Sequence, residues 1–227
     1  QANMWALRKA GLGLLMGMKG DAKPTSGVED ICIPPVYLPE FVRRVQKSML
    51  SHGVNATYYG HCSVGVLHIR PVLNLKDPNG IKILRALEEE MSDMALEYGG
   101  AMSAEHGDGL ARSEWIPKMF GPRIVRLFEQ TKEAFDPNGL MNPGKIVHAP
   151  KMDENLRYGT SYETNSSETF FTFDSEGGFQ EAVELCSGVG QCRKKLVGTM
   201  CPSYMATLEE EHSTRGRANV LRAALSG

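Results

Sequence analysis

The chain has no apolar run long enough to cross a bilayer. Its most apolar early stretch, Ala10 to Met18, falls well short of the ~20 residues a spanning helix needs. No signal-peptide pattern stands at its start. An excess of charge is missing too: 25 basic and 27 acidic side chains leave a net charge of −2. That excludes a bulk attraction to nucleic acid or to an anionic membrane surface. There is no internal repeat. A secreted disulfide framework is also absent, because five cysteines is an odd number and three of them, Cys186, Cys192 and Cys201, crowd toward one end. Such a distribution suits a reduced, cytoplasmic setting with metal or cluster ligation. Small-molecule chemistry is the class that remains.

What is present is enough for a core. With 227 residues, 41% of them hydrophobic, the chain can bury one sizeable core or two modest ones. It opens on Gln1 and stops at Ser226-Gly227 just after a helical pattern, and is read as a piece cut from a larger protein.

Residues 1–20 carry a helical pattern, and Lys19 to Gly27 has loop composition. Val28 to Ile33 is a strand candidate that stops at Pro34-Pro35. Leu38, Phe41, Val42, Val45 and Met49 recur at helical spacing after it, with Pro39 in the first turn. Asn55 to Leu75 is β-rich and broken by Gly60 and Gly65, which predicts two strands and a turn. Leu84, Leu87, Met91, Met94, Ala95 and Tyr98 line one helix face, ended by Gly99-Gly100. Ala101 to Ala104 reads as a short strand, and a last helix spans about Ile116 to Phe135. The order strand, helix, strand, strand, helix, strand predicts an α+β fold, the ferredoxin-like split βαββαβ antiparallel sheet with helices on one face. Composition then shifts to a polar linker over 150–180. A segment at 181–227 follows with the three clustered cysteines and a basic helix ending at Arg215-Gly216-Arg217-Ala218-Asn219.

Among the histidines, His61 and His68 are seven residues apart. On one helix they would sit roughly 10 Å apart, and on one straight strand they would face opposite sides. A hairpin resolves this. With Val64-Gly65 as a two-residue turn, 61 and 68 stand directly opposite, their Cβ atoms about 5 Å apart, and both rings can reach one ion. Val64 tolerates positive φ poorly, so a type II turn or a wider loop suits the site better than type I′. Glu105-His106, in a Gly-rich stretch, adds a carboxylate and another imidazole. Two His and one Glu leave an open coordination position, the catalytic pattern for a zinc-like ion. Taken alone, the His pair reads equally as cross-strand packing and Glu-His before Gly as a turn.

Three motifs in order give a resemblance. Gly60-His61 with Leu67-His68, then Ser103-Ala104-Glu105-His106-Gly107, then Phe135-Asp136-Pro137-Asn138-Gly139-Leu140-Met141-Asn142-Pro143-Gly144-Lys145 resemble the C-terminal domain of FAD-linked oxidases, the D-lactate, glycolate and D-2-hydroxyglutarate dehydrogenases. The resemblance covers about residues 1–147, within a substrate domain placed at 1–149. It implies that His61, His68 and Glu105 hold a divalent ion, zinc first among candidates, and that His106 is the general base. It implies that Arg8 grips the substrate carboxylate, although Arg8 also fits an exposed helix position. Asn142 and Lys145 would lie near a flavin held mainly by a domain before Gln1; alone, they read as a turn after a helix. Two departures stand out. Ser63-Val64-Gly65-Val66 replaces the usual Gly-Asp-Gly-Asn, and Arg70 replaces an Asn. Arg70 is either a second carboxylate clamp or a sheet-edge charge.

The cysteines resemble the opening of a helical two-cluster ferredoxin domain, with Cys201-Pro202 like the last ligand of a run. Cys186, Cys192 and Cys201 would then be ligands of an incomplete 4Fe-4S site, with a three-Cys zinc knuckle using His212 as the alternative. Cys32 and Cys62 read as small buried residues. The implied partners are a D-2-hydroxy acid and a quinone or other electron acceptor. The resemblance leaves a homodimer and a position peripheral to the inner membrane open, and makes the fragment inactive by itself. The competing class is an electron-transfer or docking subunit that keeps the fold without the chemistry.

Overall fold

The computed structural model describes residues 2–165, 167–196, 198 and 200–226. Gln1 and Gly227, the ends behind the fragment reading, lie outside them. In chain order the helices are α1 (Ala2–Met16), α2 (Leu38–Ser51), α3 (Pro78–Glu97), α4 (Gly109–Arg112), α5 (Ile116–Phe135), α6 (Phe179–Glu184), α7 (Pro202–Thr207) and α8 (Thr214–Ser226). The strands are β1 (Lys23–Pro24), β2 (Ile31–Cys32), β3 (Ala56–His61) and β4 (Val66–Leu73). Two compact units form, one from residues 24–160 and the other from the chain up to Lys23 together with 161 onward.

The 24–160 unit is built around β4. β3 pairs antiparallel along one edge of it, from Ala56↔Pro71 to His61↔Val66. β2 pairs antiparallel along the other edge, Ile31↔Leu67 and Cys32↔Val66. Farther along that second edge, Thr25 N–H donates to Pro71 O at 2.8 Å. The strand expected over 101–104 shrinks to one bridge, Cys32↔Ala101. The reason is local: the backbone turns at once to reach Asp30, with Ala104 N–H donating to that residue's carbonyl at 2.9 Å. Similarly, only Ile31–Cys32 of the expected strand 28–33 stays regular. The result is a small antiparallel sheet in a mainly helical chain.

Helices α2 and α3 supply the other core layer. Phe41, Val45 and Met49 of α2 and Leu84, Leu87 and Met91 of α3 share one buried cluster with Ile31, Leu67, Ile69 and Leu73. α3 starts where Asp77 accepts the Asn79 N–H at 2.9 Å, with Pro78 in the first turn. It ends where Gly100 N–H returns to Ala95 O at 2.7 Å and Gly99 takes φ 67°. α5 matches the expected span but is kinked, since Gly121 before Pro122 adopts φ 74°. Because side chains alternate along a strand, Leu67 and Ile69 of β4 face the core while His68 and Arg70 face the other way. Both are nonetheless buried, at 1% and 8% exposure. A second layer therefore covers that face, and it carries the site.

In the other unit, Cys192, Cys201 and Tyr204 form a small core. α8 begins at Thr214, so Arg215 to Asn219 open this helix rather than close it. Ser213 decides this by accepting the Gly216 N–H at 2.8 Å as an N-cap. No helix among the described residues is long and apolar enough to cross a membrane.

Candidate active site

The hairpin differs from expectation by two residues. His61 pairs with Val66, and the residue across from His68 is Tyr59, whose ring centroid lies 4.8 Å away. The chain reverses through a wider turn, a 3₁₀ stretch at Cys62–Val64 followed by Gly65 at φ 80°. Val64 thus avoids positive φ, and the glycine takes it. An even shift preserves the face, because the side-chain period of a strand is two. His61 therefore still lies diagonally beside His68, with 5.6 Å between ring centroids.

Glu105 meets both rings. Its Oε1 lies 3.0 Å from His68 Nε2, 3.3 Å from His61 Nε2 and 3.4 Å from His106 Nε2. The loop that delivers it is pinned by Asp30, which is fully buried. Asp30 Oδ2 accepts the backbone N–H groups of Ala104, Glu105 and His106 at 2.9, 3.1 and 2.9 Å, and the Ser103 hydroxyl at 3.1 Å. Burial alone would raise the Asp30 pKa. The N–H donors of His106 and Glu105 and the nearby Arg112 outweigh it and hold the carboxyl below its ordinary value.

Glu29 ties the rest together. Its carbonyl accepts from His68 Nδ1 at 2.8 Å, and its Oε1 lies 3.1 Å from His106 Nδ1. Its Oε2 is held by the Arg70 guanidinium, whose Nε donates to the Tyr59 hydroxyl at 3.0 Å. Arg112, 4% exposed, donates to Gly27 O at 3.2 Å and Gly107 O at 2.5 Å, and stands 3.8 Å from Glu29 Oε1 and 3.9 Å from Asp30 Oδ2. Arg70 is thus no sheet-edge charge. It sits on the central strand, buried, with Glu29 as its counter-ion.

The donor set fits a divalent cation on electrostatic and geometric grounds. A carbonyl only accepts, so His68 carries its proton on Nδ1, and in the neutral ring Nε2 presents a lone pair to the Glu105 carboxylate. A ring nitrogen and a carboxylate oxygen 3.0 Å apart call for a cation between or beside them, either a proton on Nε2 or a bound metal ion. The three carboxylates of Glu29, Asp30 and Glu105 face two guanidiniums, so the site is rich in groups that attract a cation. Donors about 2.1 Å from one ion stand roughly 3.0 Å apart at right angles and roughly 3.4 Å apart in a tetrahedron. The spacings around Glu105 Oε1 lie within that range. Asp30, His68, Glu105 and His106 also offer one atom each within 4.8 Å of one another, but Asp30 Oδ2 already accepts four hydrogen bonds. His61 Nε2, 3.3 Å from Glu105 Oε1, lies outside that four-residue group.

The remaining expected residues lie elsewhere. Asn142 is exposed at φ 47°, and Lys145 Nζ donates to Pro143 O at 3.1 Å. Their turn is shaped by Asp136, whose carboxylate accepts the Leu140 and Met141 N–H groups, each at 2.9 Å. Arg8 belongs to the other unit, on α1. There Cys192 Sγ accepts the Arg215 N–H at 3.4 Å, and Cys186 is half-buried. N–H and hydroxyl donors from Tyr204, Ser203 and Thr214 bring the Cys201 thiol down to about 7. Cys62 is exposed and Cys32 only half-buried, so neither is the core residue expected; Cys62 lies on the hairpin turn. His52 pairs with Glu90 at 2.8 Å, away from the cluster. Sequence reading missed Glu29, Asp30 and Arg112. The first two look like the opening of a strand, and only their position beside Pro-stopped β2 hinted at more.

Comparisons with known proteins show the family of the chain. The family model "FAD linked oxidases, C-terminal domain" matches residues 1–146. A D-2-hydroxyglutarate dehydrogenase from Escherichia coli (strain K12) is 32% identical over 220 residues, 96% of this chain and 21% of that protein. One from Pseudomonas putida is 34% identical over 222 residues, 96% of this chain and 22% of that protein. A D-lactate dehydrogenase from Archaeoglobus fulgidus is 30% identical over 129 residues, 57% of this chain and 28% of that protein. The chain thus spans about a fifth of the length of the first two. A solved 4-ethylphenol oxidase from Gulosibacter chungangensis, in its isoeugenol complex, aligns at TM-score 0.43 and 20% identity over 57% of this chain and 25% of that one.

Proposed function

Since this chain belongs to the FAD linked oxidases, C-terminal domain family, we propose that it carries the substrate end of an FAD-dependent D-2-hydroxy-acid dehydrogenase. D-2-hydroxyglutarate is the first substrate to test, given the relatives matched over 96% of the chain; D-lactate and glycolate follow. The supporting observation is the meeting of His61, His68 and His106 on one oxygen of Glu105.

In this reading His61, His68 and Glu105 hold a divalent ion, zinc first among candidates. Such an ion would supply Lewis-acid stabilisation of negative charge developing on the substrate hydroxyl. FAD would supply a hydride acceptor for C2 of the hydroxy acid. The chain's own residues do the rest. His106 Nε2 faces the ligand cluster and takes the hydroxyl proton, so the alcohol loses one proton and one hydride to become the 2-oxo acid. Arg8 binds the substrate carboxylate by its guanidinium fork. The exposed Asn142 side chain and the Lys145 ammonium offer donors to the flavin ring. By sequence, residues 1–149 are assigned to the substrate domain, 150–180 to a linker and 181–227 to an iron–sulfur domain, a division that differs from the two compact units, which part after Lys23 and after Thr160. Cys186, Cys192 and Cys201 would hold part of a 4Fe-4S cluster, which would supply an electron relay toward a quinone or another acceptor.

The test is flavin reduction by the full-length protein with D-2-hydroxyglutarate, D-lactate, glycolate and D-malate, alongside metal analysis. His106→Ala should abolish flavin reduction while bound metal stays. Unchanged turnover in that variant would reject His106 as the base, and flavin inert to every acid would favour a docking or electron-transfer subunit.

A further inference from the structure

We propose that Glu29 is the positioning residue of this site, aiming both imidazoles from behind, and that Arg70 acts on Glu29 rather than on substrate. The inference rests on the reading of His106 as base and His68 as metal ligand. Nothing in the sequence motifs singles out Glu29.

Three contacts converge on this one residue. The backbone carbonyl takes the His68 Nδ1–H at 2.8 Å, and the side-chain Oε1 takes the His106 Nδ1–H at 3.1 Å. Both rings are therefore held by their Nδ1 atoms, which leaves both Nε2 atoms turned to Glu105. The rings stack, 4.8 Å between centroids and 6° between planes, so a rotation of either ring disturbs the other. The opposite carboxylate oxygen is fixed by Arg70, and the side chain of Glu29 is 8% exposed. A carboxylate clamped on one oxygen and aimed at Nδ1 with the other selects one ring orientation and one tautomer of the base.

The arrangement separates the two jobs chemically. Substitution of Glu29 removes the carboxylate but leaves the carbonyl, so the hold on His106 is lost while that on His68 remains. Arg70 is on the same face of β4 as His68, two residues on, yet its contacts run to Glu29 and Tyr59. It holds the carboxylate oxygen opposite the one that meets His106. Second-sphere partners of this kind are worth about 10–100-fold in rate or affinity.

The experiment uses the full-length, metal-loaded flavoprotein and follows the flavin reduction rate, the substrate dissociation constant and metal bound per chain. Glu29→Gln should slow flavin reduction by about 10–100-fold, with metal content kept and the dissociation constant changed by less than about threefold. Arg70→Met should give the same pattern, and the double variant should be no slower than the slower single. Loss of metal in Glu29→Gln would make the role structural and overturn the proposal. So would a weakened substrate affinity at unchanged rate in Arg70→Met, which would return Arg70 to the substrate. His106→Ala serves as the control. If it is inactive while Glu29→Gln is normal, the positioning role alone fails; if both are normal, the underlying reading fails.

Discussion

The backbone N–H of His106 donates to Asp30 Oδ2 at 2.9 Å, a bond that spans 76 residues of sequence. Through it and its two neighbours, a buried carboxylate on the approach to β2 dictates the shape of the loop that carries Glu105 and His106. Loop geometry and site geometry are the same thing here.

Asp30→Asn should therefore loosen the loop. An amide keeps an acceptor but loses the charge, and hydrogen bonds to charged groups are worth about 1.5–3 kcal/mol each. The expected result is a stability loss of about 2 kcal/mol in urea unfolding and at least tenfold weaker zinc binding by competition with a chelator. Wild-type zinc affinity in this variant would refute the role of Asp30 as the loop's anchor.

Gly65→Ala tests the hairpin. At φ 80° a side chain is strained, and a Cβ at this position would meet Ile33 O at 1.8 Å. β3 and β4 would have to part from β2 or the turn would have to rebuild. A loss of about 2–4 kcal/mol follows, read from the denaturant midpoint. A loss below about 0.5 kcal/mol would mean that the turn is not as described.

Glu88 predicts a pH dependence. It is fully buried in the core, accepts the Trp115 Nε1–H at 2.7 Å, and burial pushes its carboxyl up to about 8 despite that bond and the nearby Arg112 and Arg85. The folded state thus keeps a proton that the unfolded chain releases near 4.5. Stability should fall as pH rises from about 4.5 to 8, by at most ~1.4 kcal/mol per pH unit. Glu88→Gln should flatten this slope, as measured by unfolding at several pH values; an unchanged slope would assign it to other groups.

His61 and His68 should separate in stability but not in metal binding. His68 is 1% exposed and lies beside Tyr59 and His106, whereas the His61 side chain is 46% exposed. Replacing either by Ala should cut bound zinc to a small fraction per chain. Only His68→Ala should also cost about 2–4 kcal/mol in the metal-free protein, because it opens a cavity. Equal stabilities of the two metal-free variants would contradict the packing described.

The sequence alone determined the periodic elements. α2, α3 and α5 stand where apolar side chains recur at helical spacing, because an amphipathic stripe has one way to bury itself. It also determined that His61 and His68 share a face, since any even register between their strands gives that result. It did not determine the register, which hung on whether Val64 or Gly65 would take the positive φ. Nor did it reveal Glu29, Asp30 and Arg112. A buried carboxylate looks like any exposed one until its partners are known, and the contacts of Glu29 with Arg70 and His106, of Asp30 with His106 and of Arg112 with Gly27 span 41 to 85 residues of sequence. Long-range pairing of charges is a tertiary property: the interior must first exclude water before one carboxylate has to find one N–H.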